Sequence, residues 1–279
     1  MDAAAEVKSI LITGCSTGIG ACLARGLRDK GYRVFASARG EVDVKKLEAE
    51  GFESLLLDLS SSDSIKSAVS VLFQKTDSLY ALINNGAYGQ AGALEDISRA
   101  AMEEQFQANF FGWHELTNLV LPSMKQCNDG RVVYISSVLG FVALPFRGPY
   151  IASKFAIEGL VDTLRLELRH TNIKFSLVQP GPIESDFRQN AYLSFQKHVD
   201  FESSEYRQDY KKMIKRLNSP NNAQFTLGPK AVLKPVLHAL ESRAPKVRYR
   251  VTFPTKLFAI LGRILPSTWM DRILSKAAD

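Results

Sequence analysis

The sequence predicts an α/β fold, a doubly wound parallel sheet with helices on both faces. Between residues 8 and 178, short β-branched or aliphatic runs alternate with helix-length amphipathic segments, which is the pattern of βαβ units. A length of 279 residues without long low-complexity tracts or fixed repeats favours one large domain. Sheets of this kind bind ligands beyond the carboxyl ends of their strands, so we expect the site there.

The predicted elements follow one another regularly up to Pro180. Six runs are typical of strands, at 9–13, 33–37, 54–58, 81–85, 131–136 and 174–179. Helices are predicted between them because apolar residues recur at helical spacing, at 19–28, 62–75, 99–126 and 150–170.

The chain after Pro180 has a different pattern. Residues 186–228, the lid segment, are polar and aromatic, with a charged helix predicted at 206–216 and a loop at 219–229. Such an insertion is typical of a substrate lid, and a surface excursion without function is the alternative. A helix at 229–242, a strand at 247–251 and a basic amphipathic C-terminal extension at 252–279, interrupted by Pro266, complete the single domain.

Composition excludes several protein classes. Hydrophobic residues make up 46% and charged residues 23%, unlike disordered or fibrous chains. Three cysteines without paired or His-linked spacing favour neither disulfides nor a metal site, and the N-terminus lacks an export pattern, so we expect a cytoplasmic protein. Residues 230–279 hold ten Lys or Arg against three Asp or Glu. That basic end is compatible with anionic lipid, nucleic acid or acidic partners, but we favour a solvated surface and expect no nucleic-acid binding.

A glycine-rich loop follows the first predicted strand and precedes a helix. Glycines at this spacing allow backbone N–H groups to approach phosphate at a helix N-terminus, which predicts a dinucleotide site. The second strand ends in Ala38-Arg39, where an NAD enzyme would place a carboxylate, so Arg39 indicates the 2′-phosphate of NADP(H). The predicted loop contacts are Gly14, Ser16, Thr17, Gly18, Ile19 and Gly20.

Two further turns complete the predicted cofactor cleft. Asp58 ends the third strand, where its carboxylate is expected to reach the adenine amino group, and Leu59 follows it. Asn85 and Gly86 follow the fourth strand in another close-approach turn.

Four polar residues form the candidate catalytic set. Tyr150 and Lys154 are four residues apart on a predicted helix, so they share one face, and an ammonium there lowers the pKa of a phenol. Ser137 follows the fifth strand at the same sheet edge. Asn109 lies in an apolar helical segment, where its amide requires a buried partner. The set predicts acid–base chemistry beside the dinucleotide.

With these motifs in order, the sequence resembles the short-chain dehydrogenase/reductase family, which has the Rossmann fold. The matching segments are TGCSTGIG, NNGA, Asn109, the ISS ending in Ser137, YIASK and PGPIES, and they span roughly residues 8 to 190. Other segments, including NFFG, LPFRGPY, SKFAIEGL and QFTLGP, resemble bacterial NADP-dependent aldehyde reductases and steroid or retinol dehydrogenases.

The resemblance implies a role for each site residue. Tyr150 is the general acid in reduction, Lys154 lowers its pKa and holds the nicotinamide ribose, and Ser137 orients the carbonyl. Asn109 holds a water that joins Lys154 to a proton relay. The nicotinamide is bordered by Pro180, Gly181 and Ile183, with Ser185 bonding its carboxamide. The helices of Asn109 and Tyr150 are expected to form a homodimer interface.

The sequence departs from the family pattern at three positions. The usual Asn-Asn-Ala-Gly is Asn-Asn-Gly-Ala here, with Gly86 and Ala87 transposed, from which we expect a local adjustment and retained binding. Ser185 replaces the common threonine and keeps its hydroxyl. Thr17 stands where some NADP-preferring members carry a basic residue, so phosphate selectivity depends more on Arg39.

The sequence therefore predicts an NADP(H)-dependent oxidoreductase acting on an apolar carbonyl or alcohol, such as an aldehyde, a retinoid or a steroid-like ketone. The alternative is a non-catalytic NADP(H)-sensing regulator or lipid-associated protein, with weak peripheral membrane contact through the C-terminal extension. Aromatic and aliphatic side chains near the motifs favour the apolar substrate, namely Tyr88, Leu139, Phe141, Leu144, Phe146, Tyr192 and Phe195.

Overall fold

The computed structural model describes residues 7–219 and 224–278. Its centre is one parallel sheet in the order β3-β2-β1-β4-β5-β6-β7, which confirms the doubly wound prediction. The strands are β1 (Ser9–Ile12), β2 (Arg33–Ala38), β3 (Glu53–Leu56), β4 (Ala81–Asn84), β5 (Gly130–Ile135), β6 (Ile173–Gln179) and β7 (Arg248–Arg250).

Helices cover both faces of the sheet. On one face, α3, α5 and α6 pack over a core that includes Leu72, Trp113 and Val161. On the other, α1, α2 and α9 cover a second core. The helices are α1 (Gly18–Arg28), α2 (Glu41–Ala49), α3 (Ser62–Lys75), α4 (Arg99–Phe106), α5 (Gly112–Cys127), α6 (Gly148–Glu167), α7 (Phe187–His198), α8 (Arg207–Leu217), α9 (Lys230–Glu241), α10 (Phe253–Ile264) and α11 (Ser267–Ala278).

The strand order fixes where a ligand can bind. Chain order runs outward from β1 to β3, and β4 then pairs with the other side of β1. The connections after β1 and β4 therefore leave in opposite directions and open a crevice beyond their carboxyl ends. Both strands are buried on both faces, which explains their aliphatic sequences.

The helix predicted at 99–126 is interrupted. A π-helical turn at Gln107–Phe111 separates α4 from α5 and contains Asn109. Gly112 follows this turn and lies directly against Leu59. A Cβ at position 112 would be 1.9 Å from the Leu59 carbonyl oxygen, so a side chain does not fit there. Sequence periodicity cannot detect one extra residue in a turn, so the break was missed.

The lid segment is more helical than predicted. The charged helix is confirmed as α8, but α7 was not predicted. Helices α7 and α8 and the loop after β4 enclose a small core. In this core the Tyr210 hydroxyl donates to the Asp96 carboxylate and accepts from the Ala93 N–H. Of the loop predicted at 219–229, residues 220–223 lie outside the described chain.

The C-terminal extension forms two helices on the edge of the domain. Strand β7 confirms the prediction at 247–251, and Pro266 separates α10 from α11 as expected. Buried side chains of Met270 and Leu274 on α11 pack with Val142 and with partly buried Phe258 on α10.

Candidate active site

Close backbone approach shapes the glycine loop, residues 14–20, between β1 and α1. Gly14 and Gly18 have positive φ values of +68° and +58°. A Cβ on Gly14 would lie 2.6 Å from Gly86 Cα, and one on Gly20 would lie 2.0 Å from the Gly14 carbonyl oxygen. Side chains do not fit at these positions, so the loop backbone lies directly against the turn after β4.

A threonine at the end of β1 fixes the two cleft-forming turns together. Thr13 Oγ1 accepts hydrogen bonds from the N–H groups of Asn85 and Gly86, both at 2.9 Å. Asn85 Nδ2 donates in return to the carbonyls of Thr13 and Gly14, at 2.9 and 3.0 Å. The sequence predicted Asn85 and Gly86 at this site but not Thr13. The only sequence feature that points to Thr13 is a hydroxyl side chain at the last buried position of the predicted strand.

The N-terminus of α1 fits an anion. Within the described residues no side chain caps this helix, because Thr17 at the N-cap makes no side-chain hydrogen bond and the first turn holds no acid. Ser185 approaches Gly18, whose Cβ would lie 3.0 Å from Ser185 Cβ. Ser16 is exposed and Ile19 is half-buried in the same turn. Uncapped N–H groups at the positive end of a helix dipole bind phosphate well, so these residues fit a dinucleotide pyrophosphate.

The ends of β2 and β3 lie at the same edge of the sheet. Arg39 follows β2 directly and is exposed. Asp58 lies two residues beyond β3, which ends at Leu56 and not at Asp58 as predicted. Its Oδ1 accepts from the N–H and hydroxyl of Ser60, at 2.9 and 2.6 Å. The predicted contact of Asp58 with adenine stays a prediction.

Tyr150 lies in a buried setting at the start of α6. The Ser137 side chain lies close enough to its hydroxyl to favour the phenolate, and Ser137 Oγ accepts from the Leu139 N–H at 3.0 Å. The Phe187 ring packs edge-on against Tyr150, with ring centroids 5.1 Å apart. The structure thus brings the predicted serine and tyrosine close together.

The electrostatic effect on Tyr150 differs from the sequence expectation. We expected Lys154 to lower the pKa of the phenol, but burial raises it to about 12, and the nearby Ser137 side chain only partly opposes the rise. The Lys154 Nζ donates instead to the Ile135 carbonyl at 2.9 Å. Tyr150 is therefore protonated at neutral pH and able to donate a proton.

Lys154 is a buried cation on the same face of α6. Its Nζ lies 5.6 Å from the Tyr150 ring centroid and 4.1 Å from the Trp113 ring centroid. Burial lowers the pKa of Lys154 to about 7, and the negative charge of Glu158 opposes this. Trp113 was not singled out in the sequence, yet it forms the surface on which the ammonium lies.

Asn109 has the buried partners that its position required. Its Oδ1 accepts from the Tyr88 N–H at 3.2 Å, and its Nδ2 donates to the Tyr88 carbonyl at 2.8 Å and to Ser153 Oγ at 3.4 Å. The amide therefore joins the loop after β4 to α6, the helix of Tyr150 and Lys154. A water relay from Asn109 to Lys154 stays a prediction.

Comparisons with known proteins identify the family. A family model described as short chain dehydrogenase matches residues 8–194. The chain belongs to the short-chain dehydrogenase family. YbbO of Escherichia coli K12, described as an uncharacterized oxidoreductase, is 44% identical over 269 residues, covering 96% of this chain and 94% of its own. Human retinol dehydrogenase 8 is 40% identical over 194 residues, covering 66% of this chain and 61% of its own.

Solved structures of other short-chain dehydrogenases share the fold. One from Burkholderia phymatum, in complex with NAD, has a TM-score of 0.76 at 22% identity and covers 91% of this chain and 92% of its own. One from Burkholderia cenocepacia, in complex with NADP, has a TM-score of 0.75 at 21% identity and covers 97% and 98%. At this identity the likeness shows the fold alone.

The transposed Gly86 and Ala87 have a local explanation in this short-chain dehydrogenase. A Cβ on Gly86 would lie 3.1 Å from Leu59 Cδ1 and 3.3 Å from the Gly14 nitrogen, closer than a side chain ordinarily packs. Trp113 Nε1 donates to the Gly86 carbonyl at 2.8 Å and holds the turn in place. Glycine at 86 therefore relieves crowding against the glycine loop.

The predicted border of the nicotinamide meets the catalytic edge. The Pro180 carbonyl accepts from the Val138 N–H at 2.8 Å, beside Ser137. Gly181 lies against α10, because a Cβ there would be 2.2 Å from Thr252 Oγ1. Ile183 pairs with Leu227 of the lid segment. Contact of these residues with nicotinamide stays a prediction.

Sequence reasoning missed a buried carboxylate behind the catalytic helix. Glu158 lies one turn beyond Lys154 and accepts from Ser136 Oγ at 2.6 Å and from Gln179 Nε2 at 2.9 Å. Arg248 on β7 donates to it at 2.9 Å. The network joins α6 to strands β6 and β7, and its residues are too far apart in sequence for any local signal.

The structure corrects the prediction that seven aromatic and aliphatic side chains lie around the substrate. Most of them pack elsewhere: Phe195, Phe146 and Tyr192 lie in the lid core, and Phe141 and Leu144 pack with the C-terminal helices. Tyr88 and Leu139 remain near the catalytic edge through their contacts with Asn109 and Ser137. Phe187, whose ring packs edge-on against Tyr150, was not predicted.

No group of three His, Cys, Asp or Glu side chains among the described residues is arranged to hold a metal ion. None of the described helices combines the length and apolar character needed to cross a membrane.

Proposed function

We propose that this short-chain dehydrogenase is an NADP(H)-dependent oxidoreductase that reduces an apolar carbonyl compound, with Tyr150 as general acid. The observation that carries the proposal is the buried Tyr150 ring beside the Ser137 side chain, with Lys154 Nζ 5.6 Å from the ring centroid. Bound NADPH supplies the hydride in this chemistry.

The chain's own residues account for the proton and for positioning. Ser137 and Tyr150 donate hydrogen bonds to the substrate carbonyl oxygen, which polarises it. A pKa of about 12 keeps Tyr150 protonated until the oxygen gains negative charge, when the proton moves to it. Lys154, one turn along α6, would hold the nicotinamide ribose.

Preference for NADP(H) rests on Arg39. It lies at the end of β2, where the sequence Ala38-Arg39-Gly40 contains no carboxylate to bind a free ribose 2′-hydroxyl. A guanidinium pairs well with phosphate. Solved structures with this fold hold either NAD or NADP, so the fold leaves the choice open, and Arg39 favours NADP(H).

An apolar substrate, such as an aldehyde, retinoid or steroid-like ketone, is favoured by the surroundings of Tyr150. Phe187 packs on its ring, and Gly89 leaves room for that packing, since a Cβ on Gly89 would lie 2.7 Å from Phe187. An aromatic wall beside a few polar groups suits an apolar molecule with one carbonyl. Similarity to human retinol dehydrogenase 8 supports the same class.

The test of catalysis is NADPH oxidation with aliphatic, aromatic, retinoid and steroid carbonyls, comparing the parent with Tyr150→Phe. Loss of the acid is expected to lower turnover by roughly 10²- to 10⁴-fold. NADPH affinity, measured by fluorescence titration, should stay within about twofold because the ring and its packing on Phe187 remain. Unchanged turnover in the variant would refute the role of Tyr150.

The test of cofactor preference is Arg39→Ala. Removing one charge-assisted contact to a phosphate is expected to weaken NADPH binding by roughly 10- to 100-fold and leave NADH binding nearly unchanged. Equal losses for both nucleotides would assign Arg39 a structural role.

We further propose a cytoplasmic homodimer formed by the helices that carry Asn109 and Tyr150. Phe111, Phe155 and Leu166 are exposed on these helices, with Leu166 63% accessible, and they offer apolar area for a second copy. Sedimentation at micromolar concentration should give twice the monomer mass, and Phe155→Glu should lower it. A monomeric active parent would contradict the proposal. The three cysteines lack the spacing of a disulfide framework, which supports a reducing compartment such as the cytoplasm.

A further inference from the structure

Helix α10 presents an apolar face to solvent. Phe253, Leu257, Ile260 and Ile264 lie at successive turns and therefore share one side of the helix. Phe253 is 59% and Ile264 is 71% accessible, and the two between them are also exposed. Contiguous exposed apolar side chains of this kind mark an interaction surface. We call these four residues the α10 face.

The opposite side of α10 is packed into the domain. Thr255 and Ala259 are buried, and Phe258 and Leu261 contact a cluster with Met270 of α11. The helix is therefore fixed in orientation by its own packing. The α10 face therefore points outward, because the opposite side of the helix is the one packed into the domain.

Basic and aromatic side chains accompany the α10 face. Between positions 253 and 276 the sequence has four cations against one acid, Asp271. On α11, Trp269 is 58% accessible and shares its side of the helix with Arg272 and Lys276, away from the buried Leu274. Apolar side chains beside tryptophan and cations are the composition of helices that lie in the surface of an anionic bilayer.

A chain of contacts links the α10 face to the predicted nicotinamide border. The ring of Phe253 contacts that of Phe225 in the lid segment, with centroids 5.4 Å apart. Phe225 has a φ of +63°, an unfavourable conformation for an aromatic residue, and its side chain is half exposed. Leu227, two residues on, exchanges backbone hydrogen bonds with Pro182 and Glu184, beside the predicted nicotinamide border.

We propose that the α10 face and Phe225 dock on an anionic phospholipid bilayer, so that the cleft opens toward the membrane and an apolar substrate enters from the lipid. The entry step rests on the proposed function, and the docking step does not. A second copy of the chain is a poorer occupant, because a two-fold contact would place the cations around the α10 face opposite the same cations.

The test is flotation of the full-length protein with phosphatidylcholine vesicles, with and without phosphatidylserine. The parent should float with the anionic vesicles, bind neutral ones less, and lose binding as salt increases. The double variant Ile260→Glu/Ile264→Glu should lower the bound fraction roughly tenfold or more, since it places charges in the apolar contact. Val42→Glu, which changes a residue 68% accessible on α2, is the matched control and should bind like the parent.

Turnover separates docking from substrate entry. The Ile260→Glu/Ile264→Glu protein should reduce a water-soluble short aldehyde at the parental rate but lose activity on a long-chain aldehyde supplied in anionic vesicles. Equal rates on the vesicle-borne aldehyde would overturn entry from lipid. Tyr150→Phe should float like the parent, because docking does not depend on turnover. A parent that floats but reduces no carbonyl compound would refute the proposed function and leave docking standing.

Three results would overturn docking itself. The first is a parent that stays unbound with anionic vesicles. The second is a double variant that binds as well as the parent. The third is a fall in sedimenting mass on introducing Ile260→Glu/Ile264→Glu, which would make the α10 face a contact between copies of this chain.

Discussion

Replacing Lys154 with methionine should stabilise the protein at neutral pH while abolishing turnover. Burial lowers the pKa of Lys154 from 10.5 to about 7. The folded chain therefore binds fewer protons than the unfolded chain between these values, and stability rises with pH across that window. At pH 7 the buried cation costs about 4 kcal/mol, taking about 1.4 kcal/mol per pKa unit.

The substitution also removes favourable contacts, which sets the net effect. Methionine keeps an unbranched apolar side chain over Trp113 but loses the hydrogen bond to the Ile135 carbonyl, worth about 1 to 2 kcal/mol. The variant should therefore be about 2 to 3 kcal/mol more stable than the parent at pH 7. By pH 10 the charge penalty falls below about 1 kcal/mol, and the parent should become the more stable protein.

The assay is urea unfolding followed by circular dichroism at pH 6 to 10, at one fixed protein concentration and without added nucleotide. The decisive quantity is the difference in unfolding free energy between variant and parent as a function of pH. A difference that does not change with pH would show that Lys154 titrates at its ordinary value, and the inferred cost of burial would be refuted.

Two further substitutions test the glycine loop and the carboxylate network. Gly20→Ala should weaken dinucleotide binding by roughly tenfold or more, because its Cβ would lie 2.0 Å from the Gly14 carbonyl oxygen. Fluorescence titration measures the affinity. The control is Gly159→Ala, whose Cβ would have no atom within 4 Å. Arg248→Met should lower the free energy of unfolding by about 3 kcal/mol or more, because it leaves Glu158 buried without its cation. A loss below about 1 kcal/mol in urea unfolding would show that this pair behaves as a surface ion pair.

Local pattern explains why much of the fold was predictable. The alternation of strands and helices, the glycines of the loop at 14–20 and the Tyr150–Lys154 spacing each depend on residues near one another in sequence. The parallel pairing then follows because helix-length crossovers join successive strands. Catalytic residues on separate elements could be assembled because the carboxyl ends of parallel strands share one edge.

The features that were missed depend on contacts between distant segments. The π turn at Gln107–Phe111 carries Asn109 to the Tyr88 backbone, and no periodicity encodes it. Phe187 reaches Tyr150 only because α7 folds back over the catalytic edge. The pKa of the tyrosine was predicted in the wrong direction because spacing gives proximity to a cation but not the extent of burial.

One unfavourable feature of this fold lies at the proposed site. Burial lowers the pKa of Lys154 to about 7, so holding its ammonium inside the fold lowers the stability of the protein at neutral pH. An unbranched apolar side chain would avoid this cost and keep the contact with Trp113. The buried ammonium is therefore better explained by selection for a charged group beside Tyr150 than by selection for stability.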